Sequence, residues 1–166
     1  MTSLKSILLV EDSMRDAEIA LHALGEHHLA NDVLHVRDGV EALDYLFRRG
    51  EFVDRPAGHP ALIMLDLKMP RIDGMEVLRH VKGDPELKVI PVVVMTSSGE
   101  GPDLARAYEL GANSYVVKPL KFNQFVDAVT QVGSFWAVLN EPPPGSPRST
   151  QSGSAPLTRP PQIDSE

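Results

Sequence analysis

Short, unbroken apolar runs alternate with segments of helical period five times along this chain. Ile7-Leu8-Leu9-Val10 opens the series as a strand buried on both faces would. From Ser13 to about His27, Met14, Ala17, Ala20, Leu21 and Leu24 fall on one helix face, with Ser13 placed as the N-cap. Residues 32–36 form a weaker, more polar strand, expected at a sheet edge. Residues 38–49 read as a helix with Val40, Leu43, Leu46 and Phe47 inward and Gly50 as its stop, followed by a loop over 51–60. Leu62-Ile63-Met64-Leu65 is a second buried strand and ends in Asp66. A helix over 73–82 is stopped by Gly83-Asp84-Pro85, and Pro91 opens a third buried strand, Val92-Val93-Val94-Met95. Pro102 suits the first turn of a helix that runs to Leu110 and closes at Gly111. Ser114 to Val117 is a last short strand. The pattern then predicts one long helix over 122–139, with Phe122, Phe125, Val126, Val129, Val132, Trp136 and Leu139 on one side.

Helical crossovers between short apolar strands imply an α/β fold: a (βα)5 doubly wound parallel sheet of flavodoxin-like order 2-1-3-4-5. Such a sheet gathers its site at the carboxyl ends of the strands, near the point where the strand order reverses. Residues 1–140 are expected to form this one domain. Beyond that the composition changes, with seven of the 14 prolines in the last 27 residues and many serines. Residues 141–166 therefore read as a Pro/Ser-rich, disordered tail.

The 166 residues, 42% hydrophobic, suffice for one full core. The formal net charge of −7 opposes a nucleic-acid partner, because an acidic surface repels the phosphate backbone. The absence of cysteine excludes disulfides and thiolate metal sites and permits a reducing compartment. The N-terminus lacks the pattern of a signal peptide, and no apolar run approaches the roughly 20 residues of a membrane span. The expectation is a cytoplasmic protein with no membrane contact.

The candidate chemistry lies where the strands stop. The first apolar strand ends in Glu11-Asp12, the third in Asp66, the fourth in Thr96-Ser97 and the fifth in Lys118-Pro119. Singly, each is an ordinary loop opening, turn former or helix cap. Together, on one edge, they collect three carboxylates, one or two hydroxyls and one ammonium. Crowded carboxylates have raised pKa values or hold a cation. A set of oxygen ligands suits a hard ion, Mg2+ above all, which shares its coordination readily with phosphoryl oxygens. A phosphoryl group on Asp66 would supply such oxygens, with Thr96 as a hydrogen-bond donor and Lys118 as a point charge.

Leu8-Leu9-Val10-Glu11-Asp12, Leu65-Asp66-Leu67-Lys68-Met69-Pro70 with Asp73-Gly74, Met95-Thr96-Ser97 and Tyr115-Val116-Val117-Lys118-Pro119 resemble, in order and spacing, the receiver domain of bacterial two-component response regulators. The resemblance covers roughly residues 4 to 139. It implies that Asp66 is the phosphoacceptor. It also implies that Glu11, Asp12, Asp66 and the Lys68 carbonyl hold Mg2+, that Thr96 and Lys118 contact the phosphoryl group, and that Tyr115 is an aromatic switch. A cis Lys118–Pro119 bond is implied as well. Arg37-Asp38-Gly39-Val40-Glu41-Ala42-Leu43, the loop Arg48-Arg49-Gly50-Glu51-Phe52, Asp84-Pro85-Glu86-Leu87 and Ser134-Phe135-Trp136 are similar to the stand-alone regulators that pair with phytochrome-type histidine kinases.

What the resemblance implies, then, is a signalling protein rather than an enzyme. A histidine kinase, of the bacteriophytochrome type, would phosphorylate it, and it would assist its own phosphoryl transfer and slow dephosphorylation. Output is expected through protein contact, with a homodimer through the last two helices and the fifth strand against burial of the same side chains at home. A receiver-like interaction module that is never phosphorylated stays open as the alternative. Rival chemistries fit less well. A haloacid-dehalogenase-type phosphatase needs a second Asp where Lys68 stands. A flavodoxin-like electron carrier needs a hydroxyl- and glycine-rich cradle where Glu11-Asp12 stands. A nucleotide-binding protein needs a fuller glycine loop than Gly99-Glu100-Gly101.

Overall fold

The computed structural model describes residues 6–28 and 32–144 of the chain. Five strands form one parallel sheet in the order β2-β1-β3-β4-β5. The strands are β1 (Ile7–Val10), β2 (Val33–Val36), β3 (Leu62–Leu65), β4 (Val92–Thr96) and β5 (Ser114–Val117). The helices that follow them are α1 (Met14–Glu26), α2 (Gly39–Phe47), α3 (Gly74–Gly83), α4 (Gly101–Leu110) and α5 (Phe122–Gly133). β1, β3 and β4 are buried along their whole length, which is why they read as continuous apolar runs. β2 and β5 sit at the edges and are largely half-buried.

Alternation along the inner strands divides the core in two. Leu8, Val10, Ile63, Leu65, Val92 and Val94 pack with Leu43, Leu46, Val77, Leu78 and Ala107 of α2, α3 and α4. Ile7, Leu9, Leu62, Met64, Val93 and Met95 face the opposite side, against Ala17, Ala20, Leu24, Phe125 and Val129 of α1 and α5. The period of two thus sends one strand's side chains to both helical layers. No helix among the described residues is long and apolar enough to cross a membrane.

Several helix details differ from the sequence expectation. In α1, Met14 and Leu21 face outward, and Ile19 and Ala23 take the buried positions. α2 ends at Phe47, not at Gly50, because Arg48 already adopts the left-handed conformation that terminates it. Its buried face is Gly39, Ala42, Leu43 and Leu46, so Phe47 is left 38% exposed and Val40 half-buried. Packing is close at the start of the helix, where a Cβ on Gly39 would collide with the Ile72 carbonyl. The loop after α2 carries a short 3-10 turn, Gly50–Phe52. Arg55 organises it, donating to the carbonyls of Tyr45, Leu46, Pro56 and Gly58 while its guanidinium lies over the Tyr45 ring.

The last helix is not one regular element. After α5, Ser134–Leu139 form a π-helical turn closed by the Asn140 N–H donating to the Phe135 carbonyl at 2.7 Å. The wider turn rotates the inward face. Gly133 and Ala137 are buried, while Phe122, Phe135 and Leu139 are exposed and Trp136 is half-buried. The tail expected over 141–166 falls, from residue 145 onward, outside the described residues.

One glycine fixes the approach of α3 to the end of β3. A Cβ on Gly74 would overlap the Asp66 carbonyl oxygen and crowd the Leu67 Cα, while the Gly74 N–H donates to the Leu67 carbonyl at 3.0 Å. Gly74→Ala is expected to destabilise the fold by about 1–3 kcal/mol, the range for overpacking against rigid neighbours. A urea midpoint shifted down at unchanged slope would register it.

Candidate functional site

The carboxyl ends of β1 and β3 flank the point where strand order reverses, and the residues just beyond them carry acids. Backbone ladders place them. The Glu11 N–H donates to the Val36 carbonyl at 3.1 Å, and the Asp66 N–H donates to the Val10 carbonyl at 3.0 Å. Both side chains are buried, as is Thr96. Glu11, Asp12 and Asp66 each offer a carboxylate oxygen within 4.8 Å of the others, with Asp12 exposed to solvent. Glu11 is further held by the Ser13 N–H on its Oε1 at 3.0 Å, and its carbonyl lies 2.8 Å from His35 Nε2. On Asp66, Oδ1 accepts the Lys68 N–H at 3.2 Å.

Lys118 reaches this cluster from the end of β5. Its backbone N–H donates to the Thr96 carbonyl at 2.7 Å, which extends the β4–β5 ladder to the point where the side chain turns into the pocket. The ammonium donates to Glu11 Oε2 at 2.6 Å, Asp16 Oδ2 at 2.9 Å and Asp66 Oδ2 at 3.0 Å, with its side chain 9% exposed. Burial alone pulls a lysine pKa down. Here the Glu11 and Asp16 hydrogen bonds and the Asp66 charge outweigh it, and Lys118 is raised. Burial pushes Glu11 up to about 7 against the lowering effect of Lys118, with the Asp66 charge adding to the rise. The Lys118–Pro119 bond is trans, where the resemblance implied cis. The two isomers before proline differ by only about 0.5–1 kcal/mol, so residue identity does not decide between them.

The other expected residues stand at measured places around this centre. Thr96 ends β4 beside β3, and its Oγ1 lies 3.4 Å from the Ser98 N–H that donates to it. The Lys68 ammonium turns away from the carboxylates and pairs with Asp103 at 3.4 Å. Tyr115 lies one layer off, with its hydroxyl donating to the Ser98 carbonyl at 2.7 Å. The Ser98 hydroxyl in turn donates to Asp103 at 2.5 Å. An open depression beside the acids is lined by Asp12, Leu67, Lys68, Met69, Asp73 and Asp103.

Asp16, Ser98 and Asp103 are site residues that the sequence reading did not single out. Asp16 had a signal: it stands four residues after Asp12, in the first turn of a helix that starts at the strand end. Ser98 and Asp103 carried none, since their meeting depends on the path of the loop before α4.

The cluster fits a divalent cation on its own chemistry. Its donors are hard oxygens without sulfur or imidazole, and one of them opens to solvent. Fold and site together define a parallel α/β domain with an acidic, cation-competent pocket around one carboxylate that faces an ammonium. The chain belongs to the response regulator receiver domain family, which it matches over residues 7–130. It is 39% identical to the response regulator Rcp1 of Synechocystis over 132 residues, 80% of this chain and 88% of that protein. The crystal structure of the Mn(2+)-bound form of Rcp1 superimposes with a TM-score of 0.79 at 38% identity, covering 84% of this chain and 99% of the other. A phosphorylated cyanobacterial phytochrome response regulator, RcpA, gives 0.79 at 39% identity, covering 84% and 98%. The bacteriophytochrome response regulator RtBRR is 57% identical with a TM-score of 0.68, covering 86% of each chain.

The raised Glu11 pKa has a signed consequence. Between the ordinary value of 4.5 and about 7, the unfolded chain has ionised this group while the metal-free fold still holds its proton. Stability from this group is therefore present below 4.5 and lost as pH rises toward 7. Glu11→Gln, which cannot ionise, loses one of the two acceptor oxygens, but its stability relative to wild type is expected to rise as pH increases across that window without metal. Chemical denaturation at the two ends of the window measures the gap, and a constant gap would refute the shift.

Proposed function

We propose that this chain is a cytoplasmic, phosphorylation-controlled signalling protein whose Asp66 accepts a phosphoryl group from a histidine kinase. The observation that carries the reading is the Lys118 ammonium, brought from the end of β5 to 3.0 Å from the Asp66 carboxylate beside the Glu11 and Asp12 acids. In-line phosphoryl transfer needs positioning and charge neutralisation more than covalent help. An Asp66 oxygen forms the new P–O bond as the P–N bond to the donor's imidazole breaks, and the departing imidazole takes a proton from solvent. Glu11, Asp12, Asp66 and the Lys68 carbonyl hold Mg2+ in this reading, which neutralises phosphoryl charge when bound. Lys118 covers a phosphoryl oxygen as a point charge, and Thr96 offers its hydroxyl to another. Tyr115 is the aromatic switch, coupling β5 to the segment before α4 through the Ser98 carbonyl. The protein assists gain and loss of its own phosphoryl group and turns over no separate substrate.

The likeness to regulators named for phytochromes and bacteriophytochromes supports a phytochrome-type kinase as the donor. Asp66→Asn is expected to take up no label from a phosphorylated kinase of that type in the presence of Mg2+, while wild type labels. Equal labelling of the two would end the phosphoacceptor reading.

Output through a homodimer is supported by the exposed apolar side chains Leu104, Tyr108, Val117, Phe135 and Leu139 on α4, β5 and the π-helical turn. Light scattering of the phosphorylated chain is expected to give twice the monomer mass, reduced to one by Leu139→Arg. A strict monomer in both states would exclude this route.

A further inference from the structure

We propose that Asp16 is a positioning residue that keeps the Lys118 ammonium on station once Asp66 carries a phosphoryl group. This rests on the reading of Asp66 as the phosphoacceptor. An ammonium has three protons to donate, and here each has a carboxylate: Glu11 at 2.6 Å, Asp16 at 2.9 Å and Asp66 at 3.0 Å. Two of those acceptors have other work. Glu11 and Asp66 belong, with Asp12, to the oxygen cluster that suits a cation, and a phosphoryl group turns one Asp66 oxygen into a bridge to phosphorus. Asp16 belongs to neither the cation cluster nor the new bond. It remains a carboxylate in both states.

Its backbone is also anchored. Asp16 lies in the first turn of α1, where its N–H is taken by the Ser13 hydroxyl at 3.2 Å, and the next residue, Ala17, is buried against the sheet. The Asp16 side chain is only 26% exposed and the Lys118 side chain 9%, so solvent screens the pair weakly. A lysine is a point charge on a flexible four-carbon stem. Without Asp16, the ammonium keeps Glu11, its nearest partner, as its sole carboxylate outside Asp66, and Glu11 is the one a cation competes for. With Asp16, the ammonium is tied to α1 and stays over the acceptor whatever happens to Glu11.

A purely structural role for Asp16 also exists, as an acid in the first turn facing the positive helix end. The two roles separate by readout. Beryllofluoride with Mg2+ serves as the acyl-phosphate probe, and binding to the full chain is followed by calorimetry beside a titration with Mg2+ alone and a thermal melt. Asp16→Ala is expected to weaken beryllofluoride binding about tenfold, the size of one charge-assisted hydrogen bond. Mg2+ affinity should stay within about twofold, since the side chain is not a ligand. Asp16→Asn keeps a neutral acceptor and the same shape, and is expected to recover part of the loss and to fold even if the alanine variant does not. Beryllofluoride affinity equal to wild type in both variants would overturn the proposal, as would a loss matched by an equal loss of Mg2+ affinity. Failure of wild type to bind beryllofluoride, or Asp66→Asn binding as well as wild type, would instead remove the phosphoacceptor reading on which the proposal stands.

Discussion

One buried ammonium holds the functional edge of this protein together. Lys118 donates to three carboxylates from two other strand ends and a helix. Taking ions out of water is expensive, and attraction repays it only when geometry and hydrogen bonding are nearly complete. Here every ammonium proton is placed, yet four carboxylates (Glu11, Asp12, Asp16 and Asp66) face one cation, a formal −3 if all are ionised. The site answers that excess in two ways. It holds Glu11 protonated to higher pH than an ordinary carboxyl, and it leaves Asp12 open, where a divalent ion would meet the remaining charge.

Nothing local to any one residue produces this arrangement. Glu11, Asp66 and Thr96 each end or follow a strand whose backbone is paired on both sides, so a shift of one residue in register would send each to the wrong layer of the core. The two cores enforce the register. Val10 and Leu65 point into one and Leu9 and Met64 into the other, leaving the next residue in each strand at the lip. Stability and chemistry are therefore coupled through the sheet: what buries the apolar runs also sets the distance between Lys118 and Asp66.

Most of that was legible before any coordinates. Unbroken apolar runs marked the three inner strands, and polar residues ending them marked the edge, because a buried parallel strand must surface where its polarity changes. The stop at Gly111 and the cap at Ser13 also read true, while Asp38 and Asp73, expected inside their helices, cap them instead. Helix faces were less legible. Large apolar side chains such as Met14, Phe47 and Leu139 carry the strongest periodic signal, but the contacts are made by small ones: Gly39, Ala23, Gly133 and Ala137. Close approach of a helix to the sheet favours the missing side chain, and hydrophobicity does not register an absence. The π-helical turn was invisible for the same reason. Its small buried residues, Gly133 and Ala137, carry no apolar signal that would mark a change of period. Asp16, Ser98 and Asp103 were missed because each needs the fold to acquire its partner.

Tyr115 bears on how such a pocket can speak to its surface. Its hydroxyl is seated on the Ser98 carbonyl, which ties β5 to the segment before α4. A ligand moves an equilibrium only by the difference in its affinity for two states, so a signal from the pocket is carried by contacts that differ between them. Beyond the ring, polar contacts run from Ser98 to Asp103 to Lys68 and back to the loop after Asp66. A message carried that way closes a circuit around the pocket instead of leaving by a single exit.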